Sequence, residues 1–284
     1  MSTHYALVTG ASTGIGHASA VALAEKGCHV FAGVRSEADG ARIRLESGGK
    51  LHPILLDVTD AGQVAEALSH ITSVVGNAGL SGLVNNAGIA VVGPLEFIPP
   101  EEFARQMNVN VNGLLAVTQA FIPLLRLAKG RLCLVSSTNG FLPVPFMGPY
   151  SASKFAVEAL GDCLRNELAP WNIRVSLVEP GATRTAIWEK SKAENEALIA
   201  RVPAECLALY GGMIDTMRGE AEKMVLRASP VEKVSDCVVH ALTSRRPKTR
   251  YRCADGARMA WFAARWLPDT WRDWVILKAM GHIG

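Results

Sequence analysis

At 284 residues, 49% hydrophobic and 19% charged, the chain has the make-up of a globular protein with one large α/β domain or two small ones. A formal net charge of +3, with Arg245-Arg246-Pro247-Lys248 as its only short basic cluster, excludes a charge-driven nucleic-acid binder. The six cysteines (28, 133, 163, 206, 237 and 253) show no C-x-x-C and no metal-ligand spacing, so no metal is expected and the thiols read as the reduced cysteines of a cytoplasmic protein.

A strand signal begins by His4, which leaves no room for a signal peptide. His4 to Val8 is a β-prone run that stops at Thr9-Gly10. Gly10-Ala11-Ser12-Thr13-Gly14-Ile15-Gly16 follows, then a helical pattern from His17 to Lys26 with a stop at Gly27. Strand, glycine turn and helix in that order form a phosphate cradle. The backbone bends sharply and approaches a pyrophosphate closely, and the helix N-terminus holds the anion. Cys28 to Arg35 is the second strand. In a dinucleotide fold the residue ending it meets the adenosine ribose, and an acidic group there would accept the 2′-hydroxyl of NAD. Arg35 instead offers a cation for the 2′-phosphate of NADP, with Ser12 beside it, so NADP is preferred and NAD stays open. Arg35 could equally stack on adenine or face solvent.

Leu51 to Leu56 reads as strand three, ending in Asp57-Val58, and Asp60 is a better helix N-cap than Asp57. Leu80 to Val84 is strand four and leads into Asn85-Asn86-Ala87-Gly88, at a strand end where a doubly wound sheet opens to ligand. Glu101 to Leu127 reads as one long helix carrying Asn108, Asn110 and Asn112. Gly130 to Ser136 is strand five, followed by Ser137, whose hydroxyl can donate to a substrate oxygen. Pro149 to Leu168 is a helix with proline in its first turn. On it Tyr150 and Lys154 are four apart and share a face at about 3.6 residues per turn. A free tyrosine, with a pKa of about 10, is a poor base at neutral pH, and a nearby ammonium favours the phenolate.

Asn172 to Val178 is strand six, ending in Glu179-Pro180-Gly181-Ala182-Thr183-Arg184-Thr185. Ala186 to Leu226 is loosely helical and broken at Pro203 and Gly211-Gly212. Pro230 to Ser244 is a further helix and Arg250 to Cys253 a short last strand. No apolar run reaches the ~18–20 residues of a membrane span. Residues 256–284 form an aromatic and basic helical tail, with Trp261, Trp266, Trp271 and Trp274 among Arg258, Arg265, Arg272 and Lys278. Packing over a pocket or a partner subunit is preferred to membrane-surface contact for this tail. Alternating strands and helices imply a single domain over 1–284, with one Rossmann-type, doubly wound parallel sheet and helices on both faces.

The run TGASTGIG, then NNAG, then SS followed by YSASK, in matching order from about Tyr5 to Thr185, resembles the short-chain dehydrogenase/reductase family. SSTNGFLPVPFMGPYSASKFAVEAL and EPGATRTA are most similar to its 17β-hydroxysteroid and retinol dehydrogenase branch. The resemblance implies an oxidoreductase acting on CH–OH groups, with Tyr150 as acid/base and Ser137 orienting the substrate carbonyl. Lys154 would bind the nicotinamide ribose and lower the Tyr150 pKa, while Asn110 would interrupt its helix and hold a water in a proton relay. Asn108 and Asn112 read as helix surface. The cofactor would meet Gly10, Ser12, Thr13, Gly14, Ile15 and Gly16, then Asp57 and Val58 at adenine, and Asn86, Ala87 and Gly88. Pro180, Gly181, Thr183 and Thr185 would lie at the carboxamide and pyrophosphate, and residues 186–226 would be a substrate lid. Thr13 stands where many NADP members carry a basic residue.

The uncharged stretch Phe141 to Met147 suits a lipophilic secondary alcohol or ketone, steroid- or retinoid-like. The runner-up substrate is a 3-hydroxybutyrate-type acid. A dinucleotide sensor without chemistry is a third reading, against which stand Asn110, Ser137, Tyr150 and Lys154 together. A homodimer or homotetramer is expected.

Overall fold

The structure is a computed structural model that describes residues 4–184, 196, 198 and 202–279. Short β-branched runs alternate with helical stretches through its first half: β1 (His4–Val8), α1 (Gly14–Glu25), β2 (Cys28–Val34), α2 (Glu37–Glu46), β3 (Leu51–Leu55), α3 (Ala61–Val75) and β4 (Gly82–Asn85). The second half continues with α4 (Pro100–Met107), α5 (Leu114–Ala128), β5 (Arg131–Val135), α6 (Gly148–Glu167) and β6 (Arg174–Pro180). It closes with α7 (Ala204–Arg227), α8 (Glu232–Thr243), β7 (Arg250–Cys253), α9 (Ala257–Trp266) and α10 (Asp269–Ala279). Among the described residues seven strands make one sheet in the order β3-β2-β1-β4-β5-β6-β7, all parallel. Pro53 lacks an N–H for a ladder and sits on β3, at the sheet edge.

Both faces of the sheet are covered, so the central strands are apolar throughout instead of alternating. Leu7 and its neighbours in register, Phe31 and Leu83, face α3 and α5, where they bury against Ile71 and Phe121. The adjacent Val8, with Ala32 and Val84, points the other way, toward Leu23 of α1 and Val234 and Val238 of α8. Each fully buried leucine or phenylalanine in these layers contributes about 1.5–3 kcal/mol. The chain runs from β1 toward one sheet edge and then, from β4, toward the other. The carboxyl ends of β1 and β4 therefore flank the switch point where such sheets take ligands.

Several boundaries differ from the sequence expectation. Strand four starts at Gly82, because Leu80 turns its N–H to the Leu124 carbonyl (2.9 Å) at the end of α5. The stretch 101–127, whose pattern reads as one helix, is three pieces, with a π-helical turn, Asn108–Gly113, between α4 and α5, so the helix is interrupted at Asn110 as the resemblance implies. Pro100–Ala128 is long and apolar enough to cross a membrane (mean hydropathy 1.4), contrary to the count of apolar runs, yet Phe121, Leu124 and Leu125 bury it against the sheet as a core helix. The expected break at Gly211-Gly212 is absent. Helix α7 runs through both glycines, with Tyr210 and Ile214 on either side packed on Phe146. Of the expected lid at 186–226, residues 186–195, 197 and 199–201 lie outside the described residues. The tail is two helices, separated at Leu267-Pro268, where proline cannot continue the helix. All six cysteines are free thiols.

Candidate active site

The glycine turn lies between β1 and α1. Gly10 and Gly14 have φ of +64° and +59°, which only glycine adopts freely. A Cβ at Gly16 would lie 2.3 Å from the Gly10 carbonyl oxygen and 2.4 Å from Asn86 Nδ2. The turn is therefore packed directly on the NNAG segment. Asn86 Nδ2 donates to the carbonyls of Thr9 (3.0 Å) and Gly10 (3.2 Å), while Thr9 Oγ1 accepts from the N–H groups of Asn86 (2.9 Å) and Ala87 (3.0 Å). Gly88 is pressed against Asn110, whose Oδ1 would lie 3.2 Å from an added Cβ. This close glycine-rich cradle at a helix N-terminus fits the pyrophosphate of a dinucleotide.

Around the adenosine end, Arg35 stands exposed just past β2, and no acidic residue ends that strand. A second cation, Arg42 of α2, was not foreseen. Its Nη2 donates to the Ser12 carbonyl (2.7 Å), and Asp39 (3.2 Å) and Glu46 (2.9 Å) already pair with it. Asp60 caps α3, accepting from Gly62 N–H (2.8 Å) and Gln63 N–H (3.1 Å), as expected. Asp57 spends one oxygen on Thr59, taking its N–H (2.9 Å) and hydroxyl (2.7 Å), and Val58 beside it is buried. At the far side Thr183 is buried and donates to the Gly181 carbonyl (3.0 Å). Gly181 follows Pro180 at the end of β6, so close to Asp255 that a Cβ would lie 2.2 Å from its carbonyl. Thr185 lies outside the described residues.

Asn110, Ser137, Tyr150 and Lys154 come together, all buried, beside the ends of β4 and β5. The π-helical turn carries Asn110. Its Oδ1 accepts from Ile89 N–H (2.9 Å), and its Nδ2 donates to the Ile89 carbonyl (3.1 Å) and to Ser153 Oγ (3.0 Å). The Ser153 hydroxyl in turn donates a hydrogen bond to the Tyr150 carbonyl (2.7 Å), so Asn110 braces the catalytic helix α6. Gln106 supports the same loop, accepting from Val91 N–H (2.7 Å) and donating to the Ile89 carbonyl (2.9 Å). Asn108 and Asn112 are exposed and, among the described residues, pair with each other (3.5 Å), the surface role expected of them.

Ser137 Oγ accepts from Asn139 N–H (3.2 Å), and its hydroxyl faces the Tyr150 phenol. Lys154 Nζ sits 5.6 Å from the centre of the Tyr150 ring and donates to the Val135 carbonyl (2.9 Å). Burial pushes the Tyr150 phenol up from its ordinary value, and the Ser137 hydroxyl pulls the other way. Desolvation is the larger of the two effects, so the net direction is upward. Burial also pulls Lys154 down to about 8, against an upward pull from Glu158.

An apolar wall rises from this polar floor. Val144, Met147, Ala90 and Val92 pack on Tyr150, and Phe146, Ile214 and Ile276 continue from Val92. A cavity between Val92, Phe97, Ile98, Cys206 and Ile214 adjoins the wall. Sequence reasoning found the wall's first strand of residues, 141–147, but missed Thr9, Gln106 and Ser153. Those three are ordinary polar letters whose partners lie far along the chain. It also passed over Glu158, although this residue repeats the Tyr150–Lys154 spacing once more.

The family model for short chain dehydrogenase matches residues 4–196. The chain is 36% identical over 282 residues to retinol dehydrogenase 5 of Mus musculus, covering 96% of this chain and 88% of that protein. It is 38% identical to an NADPH-dependent 3-dehydrocapnine reductase of Ornithobacterium rhinotracheale, with 96% of each covered. With 17-beta-hydroxysteroid dehydrogenase type 6 of Bos taurus it shares 35% identity over 97% of this chain and 88% of that one. Among solved structures, a short chain dehydrogenase from Burkholderia cenocepacia in complex with NADP superposes with a TM-score of 0.71 at 27% identity, covering 98% and 97%. With a glycine cradle at the sheet's switch point, the four buried residues beside it and relatives matching almost end to end, the chain belongs to the short-chain dehydrogenase family, in its retinol and hydroxysteroid dehydrogenase-like branch, and is an oxidoreductase of alcohol and ketone groups.

Proposed function

We propose that the chain moves a hydride between NADP and a lipophilic secondary alcohol or its ketone, of steroid or retinoid type. The observation that carries this reading is the uncharged wall against Tyr150, made by Val92, Val144, Met147, Phe146 and Ile214. A hydroxy acid would need a cation for its carboxylate, and the described residues lining the adjoining cavity include none. When bound, the nicotinamide supplies the hydride donor or acceptor and, oxidised, a positive charge. In the oxidation direction Tyr150, as phenolate, takes the alcohol proton. Ser137 donates to the substrate oxygen and steadies the developing carbonyl dipole. Lys154 favours the phenolate by its charge, and Asn110 holds α6 in place through Ser153. Reduction runs the same path backwards, with the Tyr150 hydroxyl as acid.

Support for NADP comes from exposed Arg35 at the end of β2 and from the missing carboxylate there. The test is nicotinamide absorbance with NADP and NAD against a panel of retinoids, hydroxysteroids, long-chain ketones and 3-hydroxybutyrate. Turnover of the apolar members with NADP is expected. Turnover of 3-hydroxybutyrate alone would overturn the substrate assignment, and preference for NAD would overturn the cofactor assignment.

A further inference from the structure

On α2, Asp39, Arg42 and Glu46 line one face at helical spacings of three and four. The Arg42 guanidinium is tied to both neighbours in that row, through Nη2 to Asp39 Oδ1 (3.2 Å) and through Nη1 to Glu46 Oε2 (2.9 Å). Asp39 is itself fixed, because Ser36 Oγ at the head of the helix accepts its N–H (3.2 Å) and donates to its Oδ2 (3.0 Å). Nη2 has a second target outside the helix: the Ser12 carbonyl of the glycine turn, 30 positions earlier in the chain and 2.7 Å away. The rest of the turn is held from the sheet. Asn86 Nδ2 donates to the Thr9 and Gly10 carbonyls, and Ala11 N–H donates to the Gly33 carbonyl (2.9 Å). Thr13 turns its own carbonyl to His17 N–H (3.3 Å) in α1. Among the described residues, the Ser12 carbonyl has Arg42 as its one donor, so the turn has a fixed inner side and a single outer strut.

Ion pairs on an exposed helix face add little to stability, so the strut's consequence is one of direction. The peptide is trans, and the Ser12 carbonyl and the Thr13 N–H therefore point to opposite sides of one plane. Drawing the carbonyl out to α2 leaves the Thr13 N–H turned away from that helix. Thr13 is the N-cap of α1, and its side chain makes no capping bond, so the N–H groups of this helix end stay open to an anion. Were the peptide to turn over, a carbonyl oxygen would stand where the N–H does, and a partial negative charge would face the cradle. With two carboxylates already on its guanidinium, Arg42 is poorly placed to pair with a 2′-phosphate, and Arg35 is left for that group. We propose that Arg42 is a positioning residue for the dinucleotide: by holding the Ser12 carbonyl it orients the Ser12–Thr13 peptide and strengthens binding of the pyrophosphate that NAD and NADP share. This rests on the glycine turn being the cofactor cradle, and it holds for either cofactor.

The test reads binding to the full-length protein by calorimetry and needs no turnover. Arg42→Ala should weaken NAD and NADP by the same factor, about fivefold, in line with the loss of one hydrogen bond. Adenosine 2′-monophosphate carries the 2′-phosphate but no pyrophosphate, and it should keep its affinity. Arg35→Ala should give the reverse pattern, with NADP and the monophosphate weakened and NAD held. Without ligand, Arg42→Ala should unfold at nearly the parent temperature, which separates the loss from a general weakening of the fold. Arg42→Lys keeps a cationic donor with a shorter reach. It should show the same pattern in smaller measure, and it gives the reading if Arg42→Ala is insoluble. Unchanged dinucleotide affinity in the soluble variants overturns the inference, as does a loss that the monophosphate shares, which would make Arg42 a 2′-phosphate contact. Preference of the parent for NAD would fail the NADP reading alone, and NAD would then carry the test. If the parent binds neither dinucleotide, the cradle assignment itself fails; if it binds one and Arg42→Ala binds it as tightly, only the role of Arg42 fails.

Discussion

The floor and the roof of the site are built on different principles. The floor, at the ends of β1, β4 and β5, is polar and buried: Asn85, Asn110, Ser137, Ser153 and Lys154 are all less than a tenth exposed. Each must find a hydrogen-bond partner there, and the partners are fixed groups such as the Ile89 and Val135 carbonyls. The roof, made by α7 and α10, is held by apolar contact. Ile214 and Phe146 are buried within it, whereas Trp266 and Trp271 are each 66% exposed. A polar network fails if one member changes type, but an apolar cover tolerates any side chain of suitable volume. Substitutions in the floor should therefore remove chemistry, and substitutions in the roof should change which molecule is processed.

The sharpest way to break that contrast is Tyr150→Phe, which removes only the phenolic oxygen. Turnover should fall by roughly 10²–10⁴-fold, the range for loss of a general acid or base. Cofactor affinity, read by nicotinamide fluorescence titration, should stay within a few-fold. Near-normal turnover would mean that the floor does not carry the proton. Next in size is Gly16→Ala. Its Cβ would meet backbone at 2.3 Å and the Asn86 amide at 2.4 Å, and neither can give way without opening the cradle. A loss of about 1–3 kcal/mol of stability is expected. It should come with loss of cofactor binding, measured by thermal unfolding with and without NADP. A third test touches the rim. Arg35→Ala should weaken NADP roughly tenfold or more, by loss of a charge-assisted contact, and leave NAD nearly unchanged. Equal losses for both cofactors would reassign Arg35 to adenine stacking.

The same contrast explains what could be read in the sequence. The strands at the sheet centre and the Tyr150–Lys154 spacing were legible because periodicity and residue type are both demanded there. Asn110 was legible only through the motif around it, since nothing local distinguishes it from Asn108 or Asn112. The π-helical turn at Asn108–Gly113 has no local signal in an otherwise good helical pattern, and only the resemblance implied a break at Asn110. Gly211-Gly212 misled in the opposite direction, as two glycines cost a helix only about 2 kcal/mol together, which packing of Tyr210 and Ile214 offsets. Thr9 and Glu158 owe their places to partners 77 and 92 positions away, contacts that no window of sequence contains.

The smallest effect is expected from the tail, and it bears on the roof most directly. Ile276 of α10 packs on the Phe146–Ile214 cluster, while Trp271, Trp274 and Val275 on the same helix are half exposed or more. One face thus closes the substrate wall and the other stands bare, beside Arg272 and Lys278. Ile276→Ala opens the wall without touching the cradle, so KM for a lipophilic substrate should rise several-fold while KM for NADP holds. Removing residues after Asp255 should enlarge that change, and, because α9 begins against Gly181, the cofactor term is expected to move less than the substrate term but not to stay fixed. The bare tryptophans offer a second outcome, since aromatic and basic helices also bind anionic bilayers. Sedimentation with anionic vesicles, run beside the kinetic assay, separates the two. The full-length chain is expected in the supernatant, with the truncation read in KM; quantitative pelleting that is lost on truncation, with KM unchanged, would make the tail a membrane contact and leave the roof to α7 alone.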